Sequence, residues 1–168
     1  MKLILLNLIA DSLCMEITTP NLFDVIKEMK DEYDLSNFPQ EHAMYSTDNK
    51  KVPGKMKIET GGEIVHEFVG LKPKMYSVLY GKTKKEMKKA KGVNNSVVKR
   101  ILRHKDYLHC LQNQQRLTHK MTRIGSVGHK IFTIEQQKTS LSPYDDKRWI
   151  TSDGITSLPY GHKHLNEL

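Results

Sequence analysis

The sequence predicts an α+β fold, and three of its features do so. Apolar residues alternate with polar ones in several short stretches, they recur at helical spacing in others, and Gly-Gly or Gly-Lys steps separate the two kinds. At 168 residues with 38% hydrophobic content, the chain is long enough for one ordinary domain with a core, or for a large piece of a bigger one, and short for two full ones.

Residues 3–17 are rich in Leu and Ile and read as buried strand material that stops at Thr18-Thr19-Pro20. Thr19 is the expected cap of a helix with Pro20 at its first position. Leu22, Phe23, Val25, Ile26 and Met29 then recur at helical spacing, which predicts an amphipathic helix over residues 20–31. Residues 33–57 are polar, with Pro39, Pro53, Gly54 and little periodicity. They read as a long surface connection holding at most short extended pieces.

Gly61-Gly62 turns the chain into residues 63–68, where Ile64, His66 and Phe68 alternate with Glu63, Val65 and Glu67, a strand pattern. A second strand covers residues 74–80. After Gly81-Lys82, residues 84–91 return either as its hairpin partner or as a short helix, and Gly92 ends them. Asn94 or Asn95 caps the next helix, with Val97, Val98, Ile101 and Leu102 packed and Lys99, Arg100, Arg103 and His104 facing outward. Another short helix carries Tyr107, Leu108 and Leu111. Residues 116–124, a turn at Gly125-Ser126-Val127-Gly128 and residues 130–138 predict a β-hairpin, and the tail after Ser142 is turn-rich.

The charge has an address. Residues 72–105 hold twelve Lys or Arg against one acid, Glu86, a net +11, while residues 1–71 are net −5 and residues 106–168 net +2. A localised cationic stretch that interleaves Lys with Tyr76, Tyr80 and later Tyr107 attracts a phosphate backbone through counterion release, with the aromatics available to stack. Two cysteines, Cys14 and Cys110, form neither a CxxC pair nor a finger-type cluster, so no disulfide framework or structural zinc is expected and a reducing, intracellular setting fits. The apolar run of residues 3–10 has signal-sequence character but is too short for a membrane span of ~20 residues. His162-Lys163-His164 reads as a polar tail and Asp145-Asp146 as a turn rather than as metal ligands, and no Gly-rich phosphate loop is present.

Six ordered segments carry a family resemblance. They are DEYDLSNFP (31–39), HEFVGLKPKMYS (66–77), KKAKGVNNSVVK (88–99), KDYLHCL (105–111), LSPYDDKRWI (141–150) and LPYGH (158–162). Together they resemble the end of the palm and the thumb of family B DNA polymerases, in particular the protein-primed polymerases of Polinton (Maverick) transposons and related viruses. The resemblance implies palm strands with a long surface loop over residues 1–80 and a thumb-like region of mixed helix and β-hairpin, with its tail, over residues 81–168. It implies that Lys74 and Tyr76 are the Lys-x-Tyr pair that holds the primer end. It makes Lys72, Lys84, Lys85, Lys88, Lys89, Lys91, Lys99, Arg100 and Arg103 DNA contacts.

The family's catalytic block, Tyr-x-Asp-Thr-Asp-Ser, survives here only as Asp11-Ser12. Asn7 stands in place of the Tyr, Ile9 in place of the first Asp and Ala10 in place of the Thr. Two-metal phosphoryl transfer needs converging carboxylates, so Asp11 is a remnant and no cofactor is expected for this chain, although the family uses Mg²⁺. The remaining metal motif, the fingers and the exonuclease would lie N-terminal to it, and residues 1–10 would be intron- or frameshift-derived if the start is displaced.

The reading is therefore a truncated DNA-directed DNA polymerase that binds primer-template DNA without synthesis of its own. In the parent family a terminal protein is a further partner, the setting would be nuclear, no membrane is involved and the oligomeric state is open. The rival is a free-standing basic nucleic-acid-binding protein derived from a mobile element, and a third reading is the inert product of a decayed one.

Overall fold

The computed structural model describes residues 2–9, 12–154 and 156–163. It is a mixed α+β fold. In chain order it contains β1 (Lys2–Ile9), β2 (Ser12–Thr18), α1 (Leu22–Glu28), a 3₁₀ turn (Lys30–Glu32), β3 (Tyr33–Asp34), β4 (Met56–Lys57), β5 (Val65–Lys72), β6 (Met75–Tyr80) and β7 (Lys85–Ala90). A π turn (Val97–Ile101), α2 (His104–Asn113), β8 (Leu117–Val127), β9 (Lys130–Leu141), β10 (Arg148–Ile150) and β11 (Ser157–Pro159) follow. The chain forms two compact units, one from residues 1–68 and 77–87, the other from residues 69–76 and 88–168, so β5, β6 and β7 each supply a segment to both.

In unit one, the apolar start is an antiparallel β1–β2 pair, with a register shift between Leu5 and Asn7, rather than one buried strand. Leu13 on β2 is exposed and Cys14, Met15 and Ile17 are half-buried, so this second arm lies at the surface. Helix α1 is capped by Asn21 instead of Thr19: the Asn21 side chain accepts the Phe23 N–H at 3.0 Å and donates to Asp24 at 2.8 Å. Asn ranks at or above Thr as an N-cap, and here it satisfies a first-turn N–H itself, which moves the start two residues on.

The expected surface connection over residues 33–57 is instead the centre of this unit. Leu35, Phe38 and Met44 are buried with Ile26 of α1, and Phe23, Tyr33, Tyr45 and Ile58 pack around them. Phe23, Phe38 and His42 meet ring to ring, with centroids 4.8–6.2 Å apart. The segment needs few regular elements because buried Asp34 organises it. Its carboxylate accepts the N–H groups of Ser36 at 3.0 Å and Lys51 at 3.1 Å and the Lys57 ammonium at 3.0 Å. Ser36, through its hydroxyl and its N–H, and then Lys51 hold that carboxyl well below the usual carboxylate range.

In unit two, Val69, Met75, Val97, Val98, Leu102, Tyr107, Cys110, Met121 and Leu141 form one core. Residues 97–102 depart from the expected helix. The Leu102 N–H reaches back to Val97 C=O at 2.9 Å, a π-type bond. The wider turn directs Val97, Val98 and Leu102 inward and leaves Ile101 exposed, against the helical expectation. His104, expected to face outward, is buried because α2 begins there, with Asp106 accepting the Arg103 N–H at 2.7 Å. α2 ends at Gln114 in the left-handed region.

The β8–β9 hairpin runs longer than expected and turns later. Val127 pairs with Lys130, so the loop is Gly128-His129, with φ of 54° and 63°, the pattern of a two-residue type I′ turn. Gly125 stays in the strand because its bare Cα fits beneath two neighbours: a Cβ there would lie 2.6 Å from Ile134 Cδ1 and 3.3 Å from Phe132 Cε2. The open choice for residues 84–91 resolves as strand, β7 beside β6. The tail closes as a short antiparallel β10–β11 pair.

Candidate nucleic-acid interface

The division into units sorts the charge. Unit two carries seventeen Lys and Arg against six acids, net +11, whereas unit one carries ten against thirteen, net −3. The twelve-cation window of residues 72–105 is thus split: Lys82, Lys84 and Lys85 belong to unit one and the others to unit two.

Lys74 lies in the turn between β5 and β6 rather than on a strand, at φ 60° after Pro73. Pro pre-sets the first turn position and a positive φ at the second is the mark of a type II turn, normally a glycine position. The side chain is exposed at the tip, and the Lys91 N–H donates to Lys74 C=O at 2.9 Å, so Lys91, also exposed, sits beside it. Tyr76 is half-buried on β6 and Lys89 is exposed on β7. Lys99, Arg100 and Arg103 are exposed around the π turn.

Other cations are engaged within the protein. Lys72 donates to Tyr144 C=O at 3.1 Å and lies 3.9 Å from Asp146. Lys88 donates to Leu102 C=O, one of the carbonyls that the π turn leaves without an intrahelical partner. In unit one, Lys84 is exposed at φ 51° in the β6–β7 turn. Lys85 meets Glu63 at 3.0 and 3.1 Å and lies 6.0 Å from the centre of the Tyr80 ring. The Glu63 hydrogen bond raises the Lys85 pKa.

Tyr107 cannot stack on a base. It is wholly buried on α2 and its hydroxyl donates to Lys89 C=O at 3.1 Å, which fixes the strand that presents Lys89. Asp11 and Ala10 lie outside the described residues. Among the described residues no group of three or more His, Cys, Asp or Glu is placed to hold a metal ion, and no helix is long and apolar enough to cross a membrane.

Sequence reasoning missed two sets of cations. Lys138 of β9 donates to Gly92 C=O at 2.9 Å, next to Lys91. Arg123 and Lys130 are exposed on the hairpin arms. A signal for the second set was present: residues 107–134 contain no Asp or Glu. Compared with family models, curated proteins and solved structures, the chain matches none of them.

Proposed function

We propose that unit two binds the phosphate backbone of duplex DNA through Lys74, Lys89, Lys91, Lys99, Arg100 and Arg103. The observation that carries this is the separation of charge: net +11 on one compact unit, with these six side chains exposed. Such a surface gains affinity by releasing counterions, without reading sequence. Lys138 supports it from within, since an ammonium bonded to a neutral carbonyl keeps its full charge.

In the finer form of the reading, the chain is the palm end and thumb of a protein-primed family B polymerase, holding primer-template DNA without synthesis of its own. The resemblance of residues 66–77 and 88–99 supports that form. Exposure of Lys74 at a turn tip, beside half-buried Tyr76 two residues on, is compatible with contact to a strand end. The rival, a free-standing basic protein, predicts no preference for ends.

Competition titration with two duplexes of equal length, one blunt and one with a recessed 3′ end, separates them. Lys74→Ala and Tyr76→Phe are expected to weaken the recessed substrate more, by ~1 to 3 kcal/mol for the lost charged partner. Lys89→Ala with Lys91→Ala weakens both equally, because backbone contacts carry no information about the end. Equal losses for all four substitutions favour the rival, and an affinity indifferent to salt removes the nucleic-acid reading altogether. Primer extension with Mg²⁺ or Mn²⁺ is expected to be nil, and extension abolished by Asp11→Ala would contradict the truncated-polymerase form.

A further inference from the structure

We infer that the distal half of the β8–β9 hairpin is an arm that enters a groove of duplex nucleic acid. The inference rests on the proposed function and adds a second contact to it, made by residues outside the cationic set above.

The two halves of the hairpin differ. At its base, Leu117, Met121 and Leu141 belong to the core of unit two, and Ser140 donates to Leu117 C=O at 3.0 Å while meeting His119 Nδ1 at 2.7 Å. Beyond Thr122 and Glu135 the strands leave the core. Ile124 is 77% exposed, Val127 70%, Ile131 76% and Phe132 42%. Opposite residues of an antiparallel pair share a face, and the register sets Ile124 against Thr133, Gly125 against Phe132, Ser126 against Ile131 and Val127 against Lys130. Ile124 and Ile131 therefore occupy one face, and Val127 and Phe132 the other. A hairpin that served only its own fold would bury one face. Leaving both open forgoes the favourable burial of four large side chains.

Charge and shape select the occupant. Residues 107–134 hold Arg116, Lys120, Arg123 and Lys130 and no acid, so a polyanion meets opposite charge along the whole arm, whereas a second copy offers only the net −3 of its unit one beside the +11 of its unit two. Two strands ~5 Å apart make a thin ribbon, and a major groove ~12 Å wide admits a two-stranded ribbon. Gly125 keeps the ribbon thin where Phe132 and Ile134 close over it. Seated there, Arg123 and Lys130 reach phosphates on either side, and the exposed apolar residues meet thymine methyl groups and sugars.

The experiment uses the full chain and a fluorescent duplex of about two helical turns, with circular dichroism to confirm that each variant is folded. Arg123→Gln with Lys130→Gln is expected to weaken binding ~tenfold and to lower the salt slope by about 2. Ile124→Thr with Ile131→Thr keeps β-branched residues at both positions and is expected to weaken binding several-fold with the salt slope unchanged. Methylation of guanine N7 places a methyl group and a positive charge in the major groove; the charge weakens both proteins alike, and the methyl group is expected to weaken the unsubstituted chain further than the Ile124→Thr, Ile131→Thr variant. If both double variants bind as the unsubstituted chain does while Lys89→Ala with Lys91→Ala loses affinity, the arm falls and the proposed function stands. Absence of any duplex binding by the unsubstituted chain overturns both. Loss of binding to phosphatidylserine vesicles in the Ile124→Thr, Ile131→Thr variant, with duplex affinity unchanged, reassigns the arm to a lipid surface and overturns the inference.

Discussion

In unit one the partnered lysines lie against carboxylates: Lys57 on Asp34 at 3.0 Å, Lys85 on Glu63 at 3.0 Å and Lys55 near Glu32 at 3.7 Å. In unit two, Lys138 donates to the backbone carbonyl of Gly92 and Lys88 to that of Leu102, while Lys72 donates to that of Tyr144 and also lies 3.9 Å from Asp146. Acids do engage cations there, as Arg148 on Asp145 at 2.6 Å and Arg116 near Asp146 at 3.6 Å, but they are outnumbered. The difference teaches how a folded unit keeps a positive field. A carboxylate neutralises the lysine that it holds, whereas a carbonyl fixes the stem and leaves the charge acting at a distance.

The largest expected effect tests whether unit two's field depends on its core. Leu102 is wholly buried and its carbonyl receives Lys88, so Leu102→Ala is expected to cost ~2 to 5 kcal/mol in denaturant unfolding. Trp149, the one tryptophan and a residue of unit two, reports the transition. A smaller loss, ~1 to 3 kcal/mol, follows from Lys88→Met, which keeps the stem and strands the carbonyl. Because Lys88 is engaged internally, this variant should bind duplex with a salt slope close to that of the unsubstituted chain. A slope reduced as far as in Lys89→Ala would show that Lys88 reaches phosphate as well, and would blur the contrast.

Acid sharpens the contrast from the other side. The Asp34 carboxyl is more acidic folded than unfolded, so its contribution is complete above about pH 4 and is lost as the pH falls through the folded value. Asp34→Asn is expected to lower the unfolding midpoint near neutrality, by a margin that narrows as the pH drops below about 4. A margin constant with pH would mean that hydrogen bonding alone, without charge, organises residues 33–57. The smallest effect is expected for Lys85→Gln, an exposed pair with Glu63. Exposed ion pairs contribute little, and neither stability nor duplex affinity should change measurably.

Unit two was the more legible in sequence. α2 and the base of the hairpin follow from periodicity, because each turns apolar residues to one core. Residues 33–57 hid theirs, since Leu35, Phe38 and Met44 follow neither a period of 2 nor one of 3.6, and what aligns them is a carboxylate that gathers donors from Ser36, Lys51 and Lys57. The cationic site was legible as a count and not as a geometry. Nothing local in the sequence says that Lys72 is met by Tyr144 and Asp146, more than seventy residues away, or that Tyr107 is buried with its hydroxyl on Lys89. The π turn also escaped, because Ile101 and Leu102 are both plausible core residues until the extra residue in the turn chooses between them.

Every sheet among the described residues pairs strands that follow one another in sequence: β1 with β2, β3 with β4, β5 through β7 as a meander, β8 with β9 and β10 with β11. The largest of these pairings, β8 with β9, closes across a two-residue loop, so little chain has to be ordered before its first contacts form. Local pairings of this kind lower contact order and speed folding, and a hairpin can form in about 1 to 10 μs. The slowest closure in unit one should then be the parallel β3–β4 pair, which must draw in the whole segment between Asp34 and Met56. Substitutions around Asp34 would be felt in the folding rate, while those on the hairpin arm would leave it nearly untouched.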